Sequence, residues 1–401
     1  MSNADLSVME IATLPDADPA VVIEYTDPQE GFKGWLVIDG VDHDLCAGGL
    51  RVQKTLTADA LKGMARNMSR KMRVWGMPIN GAKSGIAYDP LAPGKDAAVA
   101  LFMKAIKPYL MTSYSMGADL NTQMDTLERL AHEIGVPSIK MAIANAQNLS
   151  LEEYESRYAL LGQRTHGDWT LGSLRAGWGV GTAALALLDN LGLPRNEATA
   201  AVQGFGTLAK ASIVALLEAG VRIVAVADVE KCLIDRSGRG LDMQVLLRTH
   251  GTLLPDPESS TDVEVTPRET VLETACDVLL LEAVENTVTA ANVERIHAKG
   301  VVPGANLAVA DEAVRVLHLR NIPTLPCFVA GSGGSVAMNG LFGPAAEPSA
   351  AQVLDFIKTS MDDMVAHLLS ASREQGITPT EVALHLVEQG AAADRSKPYA
   401  A

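Results

Sequence analysis

The chain carries two kinds of hydrophobic pattern, and the change between them falls near residue 170. After an acidic, Pro-containing lead-in over residues 1–19, Ala20 to Tyr25 and Gly34 to Ile38 have the composition and length of short strands. Thr57 can cap a helix whose Leu61, Met64, Ala65, Met68 and Met72 recur at helical spacing, and Gly76 and Pro78 stop it. A Gly-containing loop over 78–85, a helix around Asp96 to Tyr109 and a turn-like segment at 117–122 follow. Residues 145–172 are polar and irregular, and a domain boundary is placed at their end. Beyond it the pattern alternates: strand Thr199 to Gln203, helix Leu208 to Ala219, then strands Arg222 to Ala227, Asp277 to Leu281, Val301 to Val302 and Thr324 to Val329. Apolar strands alternating with helices predict a parallel sheet covered on both faces, an α/β architecture of the doubly wound kind. The tail holds an amphipathic helix with Val353, Ile357, Met361, Met364 and Leu368, then one opened by a capping box at Thr378, Pro379 and Glu381. The resulting division is 1–170, 171–345 and 346–401.

Composition narrows the function. At 401 residues the chain exceeds one ordinary hydrophobic core, and 48% hydrophobic residues against 20% charged supply material for two. A net charge of −15 disfavours nucleic acids and anionic membranes, which reward clustered Lys and Arg, so a small-molecule ligand is expected. The first basic residue is Lys33, unlike a secretory or transit segment, and no apolar run is read as a membrane span. Cys46, Cys232, Cys276 and Cys327 lack metal-type spacing and read as reduced thiols, which points to the cytoplasm and to no metal.

Strand Thr199 to Gln203 runs directly into Gly204-Phe205-Gly206-Thr207-Leu208-Ala209, which opens a helix. The first glycine permits the tight turn, the second lets a pyrophosphate approach the backbone, and Ala209 allows close helix–strand packing. Asp228 ends the next strand, where a carboxylate can take the ribose hydroxyls of a dinucleotide and repel a ribose phosphate, which favours NAD over NADP. In the first lobe, Lys71 and Lys83 lie twelve residues apart, and the intervening loop can bring both ammonium groups to one cleft. A lysine between Gly81 and Gly85 can approach a ligand closely, and a second cation beside it is expected to lower its pKa. Asp119 lies between Gly117 and Thr122. By themselves these three read equally well as surface lysines and a turn aspartate.

The ordered set changes that weighting. Ala47-Gly48-Gly49-Leu50-Arg51, Lys71, the stretch Pro78 to Gly85 with Lys83, and Gly117-Ala118-Asp119-Leu120-Asn121-Thr122 resemble the substrate-domain signature of the glutamate/leucine/phenylalanine/valine dehydrogenases. The resemblance continues through Leu171-Gly172-Ser173, Gly177-Trp178-Gly179-Val180, the nucleotide turn, Ala283-Val284-Glu285-Asn286, Gly304-Ala305-Asn306 and Gly333-Gly334, covering residues 20 to 340. It implies reversible oxidative deamination of an L-amino acid to the 2-oxo acid and ammonium with NAD. It also implies a homo-oligomer built through the first lobe, with the last helix packing back on that lobe. Lys71 would grip the α-carboxylate, Lys83 would activate water, and Asp119 would move protons to and from nitrogen. Gly48, Gly49 and Asn80 would meet the substrate, while Phe205, Thr207, Leu208, Asn286 and Asn306 would join Gly204, Gly206 and Asp228 around the cofactor.

Departures from the signature bear on the substrate. Ala47 stands where glutamate-specific members carry a lysine and Met338 where they carry a serine, so a second substrate carboxylate would be buried without a partner. A neutral side chain, apolar or aromatic, is expected. Asn80, Ala176, Thr207 and Gly331 replace usual glycine, threonine, asparagine and asparagine, which leaves two alternatives: a modified amino acid or imine, or a dinucleotide-binding protein without turnover.

Overall fold

The computed structural model describes residues 18–257, 262–345, 347–391 and 397–399, so most of the acidic lead-in lies outside it. In the first lobe, β1 (Val21–Thr26), β2 (Lys33–Ile38), β3 (Cys46–Val52), β4 (Asn80–Ile86) and β5 (Tyr114–Ala118) form one sheet in the order β1-β2-β4-β3-β5. β3 pairs parallel with β4 and β5, while β1 and β2 run antiparallel. The stretch read as a glycine loop over 78–85 is therefore mostly a central strand, and the Gly pair at 48 and 49 also lies in a strand. Its glycines serve close packing rather than turning: a Cβ on Gly81 would sit 2.1 Å from the Ala65 carbonyl oxygen.

Strand alternation decides what this sheet presents on each side. Leu36, Leu50, Ala82, Ile86, Tyr114 and Met116 form one core with α2 (Lys95–Ala105), α3 (Lys107–Thr112) and α4 (Met124–Glu133). The expected helix from Asp96 to Tyr109 is thus two helices, the second carrying Pro108 in its first turn. On the other face Trp35 and Val37 pack against Leu61 and Ala65 of α1 (Ala58–Arg73), whose Thr57 caps it as expected by accepting from Ala60 N at 3.2 Å. Arg51, Lys83, Gly117 and Asp119 share this second face. The polar segment 145–172 is ordered, with α5 (Met141–Gln147) running into it, then α6 (Leu151–Ala159) and a small hairpin, β6 (Arg164–His166) and β7 (Trp169–Thr170).

The second sheet runs β11-β10-β9-β8-β12-β13, from β8 (Thr199–Gln203), β9 (Arg222–Ala227), β10 (Lys231–Asp235), β11 (Val263–Pro267), β12 (Val278–Leu281) and β13 (Gly300–Pro303). Its core strands are parallel, and β10 and β11 extend one edge as an unanticipated antiparallel pair. Thr324 contributes only a single bridge to Val301, and Cys327–Ala330 is a helical turn where a strand was expected, because Pro323 and Pro326 each withdraw a donor from a ladder. α7 (Leu171–Asn190) is long and apolar enough to span a membrane, contrary to the sequence reading, yet it is mostly buried inside the lobe. It packs on α8 (Thr207–Glu218) so closely that a Cβ on Gly177 would lie 2.2 Å from the Leu208 carbonyl oxygen. The helix Ala350–Gln375 also covers α7, and the last helix, Pro379–Ala391, returns to the first lobe against α1, as expected.

Candidate active site

Three charged side chains meet on the α1 face of the first sheet. Asp119, one residue beyond β5, receives Lys83 Nζ at 3.0 Å and Arg51 Nε at 2.7 Å on the same oxygen, Oδ2. Burial alone would raise the Asp119 carboxyl; Lys83 and then Arg51 outweigh it and hold the acid well below the usual carboxylate range. Gly49 leaves room for this arrangement, since a Cβ there would come 2.9 Å from Asp119 Cβ. Arg51, which sequence reasoning assigned no role, also reaches Glu285 of the second lobe at 3.8 Å.

Lys71 lies in the last turn of α1, and burial pushes its ammonium down to about 8, with the Lys83 charge adding to the effect. It donates to the Gly331 carbonyl at 2.8 Å and to Asn306 Oδ1 at 3.4 Å, while Asn67 donates to the same amide oxygen at 3.1 Å. Trp75 Nε1 donates to Ser332 Oγ at 2.8 Å. The two lobes therefore meet through polar groups that a substrate carboxylate can share or replace. Asn80 is not brought to this cluster. Its amide donates to the His43 carbonyl at 2.7 Å, because one residue of register separates it from Gly81 and turns it to the opposite face of β4 from Lys83.

Two further cations approach from outside any recognisable motif. Lys140 Nζ donates to the Met116 carbonyl at 3.0 Å and stands 4.0 Å from where a Gly117 Cβ would be, on the face that carries Asp119. Burial, then the nearby Arg175 charge, bring it down to about 7. Arg175, half-buried on α7, donates to the Gly334 carbonyl at 2.7 Å and leaves Nε buried without a partner. Among the described residues, neither has a carboxylate within ion-pair distance. Only the three-dimensional path of α5 and α7 brings them here.

In the second lobe, β8 is followed by Gly204, whose φ of +120° is a conformation that favours glycine. Phe205 is buried beneath the turn, and Lys210 lies 4.4 Å over its ring. A Cβ on Gly206 would meet open space, and Gly206 is the N-cap of α8, so the backbone N–H groups of Thr207 and Leu208 begin a helix terminus with room before it for an anion. These residues fit a dinucleotide pyrophosphate. Asp228 follows β9 as expected, but its oxygens already accept from the backbone N–H groups of Glu230 at 2.7 Å, Lys231 at 2.8 Å and Leu254 at 2.5 Å. A carboxylate has about four acceptor positions, so ribose hydroxyls would share this group with the 254 loop. Asn286 is exposed with φ 52°, its N–H donating to the Leu307 carbonyl at 2.8 Å, and Asn306 points at Lys71 across the cleft.

Residues 19–135 match the Glu/Leu/Phe/Val dehydrogenase dimerisation domain, and residues 173–393 match the Glutamate/Leucine/Phenylalanine/Valine dehydrogenase family. A glutamate dehydrogenase of Thermotoga maritima is 29% identical over 315 residues, 76% of this chain and 71% of that protein. The leucine-bound, hetero-hexameric glutamate dehydrogenase of Thermus thermophilus shares the fold with a TM-score of 0.75 at 22% identity, over 94% of this chain and 89% of that one. The L-tryptophan dehydrogenase of Nostoc punctiforme shares it with a TM-score of 0.59 at 15% identity, over 93% and 96%. Relatives named NAD-specific and NADP-specific both occur.

Proposed function

The chain belongs to the glutamate/leucine/phenylalanine/valine dehydrogenase family and is an amino-acid dehydrogenase, and from that premise we propose that it deaminates an L-amino acid with a neutral side chain, using NAD, in the cytoplasm. The observation that carries the neutral side chain is the apolar, buried pair Ala47 and Met338, which offers no partner to a distal carboxylate. Bound dinucleotide supplies the hydride acceptor. Lys71, released from the Gly331 carbonyl, takes the substrate α-carboxylate. Lys83 directs water to the carbon that loses hydride, and Asp119, kept ionised by its two cations, takes a proton from the substrate ammonium before the hydride leaves and returns it to the nitrogen as ammonia departs. Polar contacts between the lobes, Asn67–Asn306 and Trp75–Ser332, hold the cleft shut against water during these steps. The preference for NAD rests on Asp228, whose charge disfavours a ribose phosphate. The match of the first lobe to a dimerisation domain, with β1 as an edge strand paired on one side only, supports a homo-oligomer.

Lys140 favours a second reading, in which the substrate carries a polar or anionic group at its far end that replaces the lone Met116 carbonyl as partner of the ammonium. The test is NADH formation across neutral, aromatic and acidic L-amino acids, with the matching 2-oxo acids and ammonium in reverse. Turnover confined to neutral or aromatic members is expected. Fastest turnover of an acidic member, lost in Lys140→Met, would replace the first reading with the second.

A further inference from the structure

Glu282, the residue after β12, is a buried acid in the second lobe that the mechanism does not use; it is 6% exposed. Its main chain forms the wall behind the nucleotide turn: a Cβ on Gly204 would lie 3.1 Å from the Glu282 carbonyl carbon. Its side chain passes Gly304, whose Cβ would come 3.1 Å from Glu282 Cγ, and ends against α8. There Oε2 lies 2.6 Å from Ser212 Oγ, and Oε1 is buried without a partner. Ser212 Oγ is also 2.9 Å from the Ala209 carbonyl oxygen. Ser212 has one proton and two acceptors in reach, the Ala209 carbonyl and Glu282 Oε2; an ionised Glu282 would leave Oε1 buried with no donor, whereas a protonated acid can itself donate to Ser212 and free the hydroxyl for Ala209.

Among the described residues, no neighbouring charge offsets an ionised Glu282. α8 brings Ser212 and Ala209, while its Lys210 is turned to the carbonyls of Thr249 at 2.7 Å and Gly251 at 2.8 Å. α7 brings Val180, its Arg175 being held by Gly334, and the turn after β13 brings Gly304. Burial accordingly pushes the Glu282 carboxyl up to about 8. Ser212 is the sixth residue of α8, which places the acid roughly 8 Å from the helix start at 1.5 Å per residue. That start is where the pyrophosphate binds.

We infer that Glu282 is held as an uncharged acid in the floor of the dinucleotide site, and that its ionisation weakens cofactor binding. A negative charge there opposes both the pyrophosphate and the positive end of α8 in a poorly solvated setting. Dinucleotide affinity therefore falls in alkaline solution, where oxidative deamination is otherwise favoured by loss of protons. The inference rests on the dinucleotide reading of the Gly204–Gly206 turn.

NADH binding to the whole protein, followed by fluorescence or calorimetry between pH 6 and 9.5, tests it. Affinity is expected to hold up to about pH 7.5 and then to weaken about tenfold, while Glu282→Gln, whose amide copies the protonated acid and its bond to Ser212, stays level. An equal alkaline loss in Glu282→Gln would assign the proton elsewhere, to Lys210 for example, and overturn the inference, as would a level profile in the unaltered protein. Absence of NADH binding at every pH would remove the dinucleotide reading itself. A second measurement needs no cofactor. Because the folded acid titrates near 8 and the unfolded one near 4.5, the stability it contributes is present below the lower value and lost as pH rises to the upper one. The Tm of Glu282→Gln should therefore gain on the unaltered protein between pH 5 and 8 and run parallel beyond; parallel curves throughout would refute a neutral Glu282.

Discussion

Replacing Arg51 with glutamine tests how Asp119 is kept ionised. Two cations converge on Asp119 Oδ2, Arg51 Nε at 2.7 Å and Lys83 Nζ at 3.0 Å, and Lys83 is the stronger influence. One opposite charge at such range lowers a carboxylate by about 1–3 units, so loss of the weaker partner should raise Asp119 by about 1–2 units, or about 1.4–2.7 kcal/mol at 1.36 kcal/mol per unit. Asp119 is mostly buried, so solvent screening removes little of this. The acid limb of kcat/KM that belongs to Asp119 lies below pH 5, and, followed down to the lowest pH at which the protein stays folded, it should move up by the same amount, while Arg51→Lys, which keeps the charge, should move it less. Stability gives an independent reading. A carboxyl depressed by folding stabilises the protein above its unfolded pKa and ceases to as pH falls through the folded one. The urea midpoint of Arg51→Gln should therefore fall relative to the unaltered protein at pH 7, and the gap should narrow in acid. An acid limb that coincides with that of the unaltered enzyme, in a variant that folds normally, would show that Arg51 does not set the ionisation of Asp119.

Other substitutions separate the remaining roles. Lys83→Ala should abolish turnover while NADH affinity changes little, and near-normal kcat would remove Lys83 from the chemistry. Asp228→Asn should weaken NAD and narrow its advantage over NADP; because Asp228 also holds Leu254 N, limited proteolysis at the 254 loop should rise in parallel, and unchanged cofactor selectivity would leave it with that structural task alone. Gly177→Val should destabilise the second lobe by more than about 3 kcal/mol, since the added atoms collide with the backbone of α8. Chemical denaturation showing an unchanged midpoint would mean the α7–α8 approach is looser than the structure has it.

The nucleotide turn, the capped helices and the alternation of strand and helix in the second lobe were legible because each is set within a few residues. A glycine at positive φ, a hydroxyl three residues before its N–H partner and an apolar period are local properties, and chain order preserves them. The glycine stretch around Lys83 misled because glycine marks close backbone approach as readily as a turn, and only the helix lying on β4 shows which. Asn80 was misplaced for a related reason: a strand sends neighbours to opposite faces, so one residue of register separates a substrate contact from a bond to His43.

Sequence alone thus determined the family and the two-lobe α/β plan, and it singled out Lys71, Lys83 and Asp119 as candidates for the chemistry, since order and spacing survive without coordinates. Tertiary structure decided what surrounds them. That Asp119 is shared by Lys83 and Arg51, that Asn306 crosses the cleft to Lys71, that Lys140 stands over Gly117, and that Glu282 is buried against Ser212 all depend on groups far apart in the chain. Charge and proton affinity in a buried site are set by desolvation and by neighbours within a few ångströms, and neither quantity exists until the chain has folded.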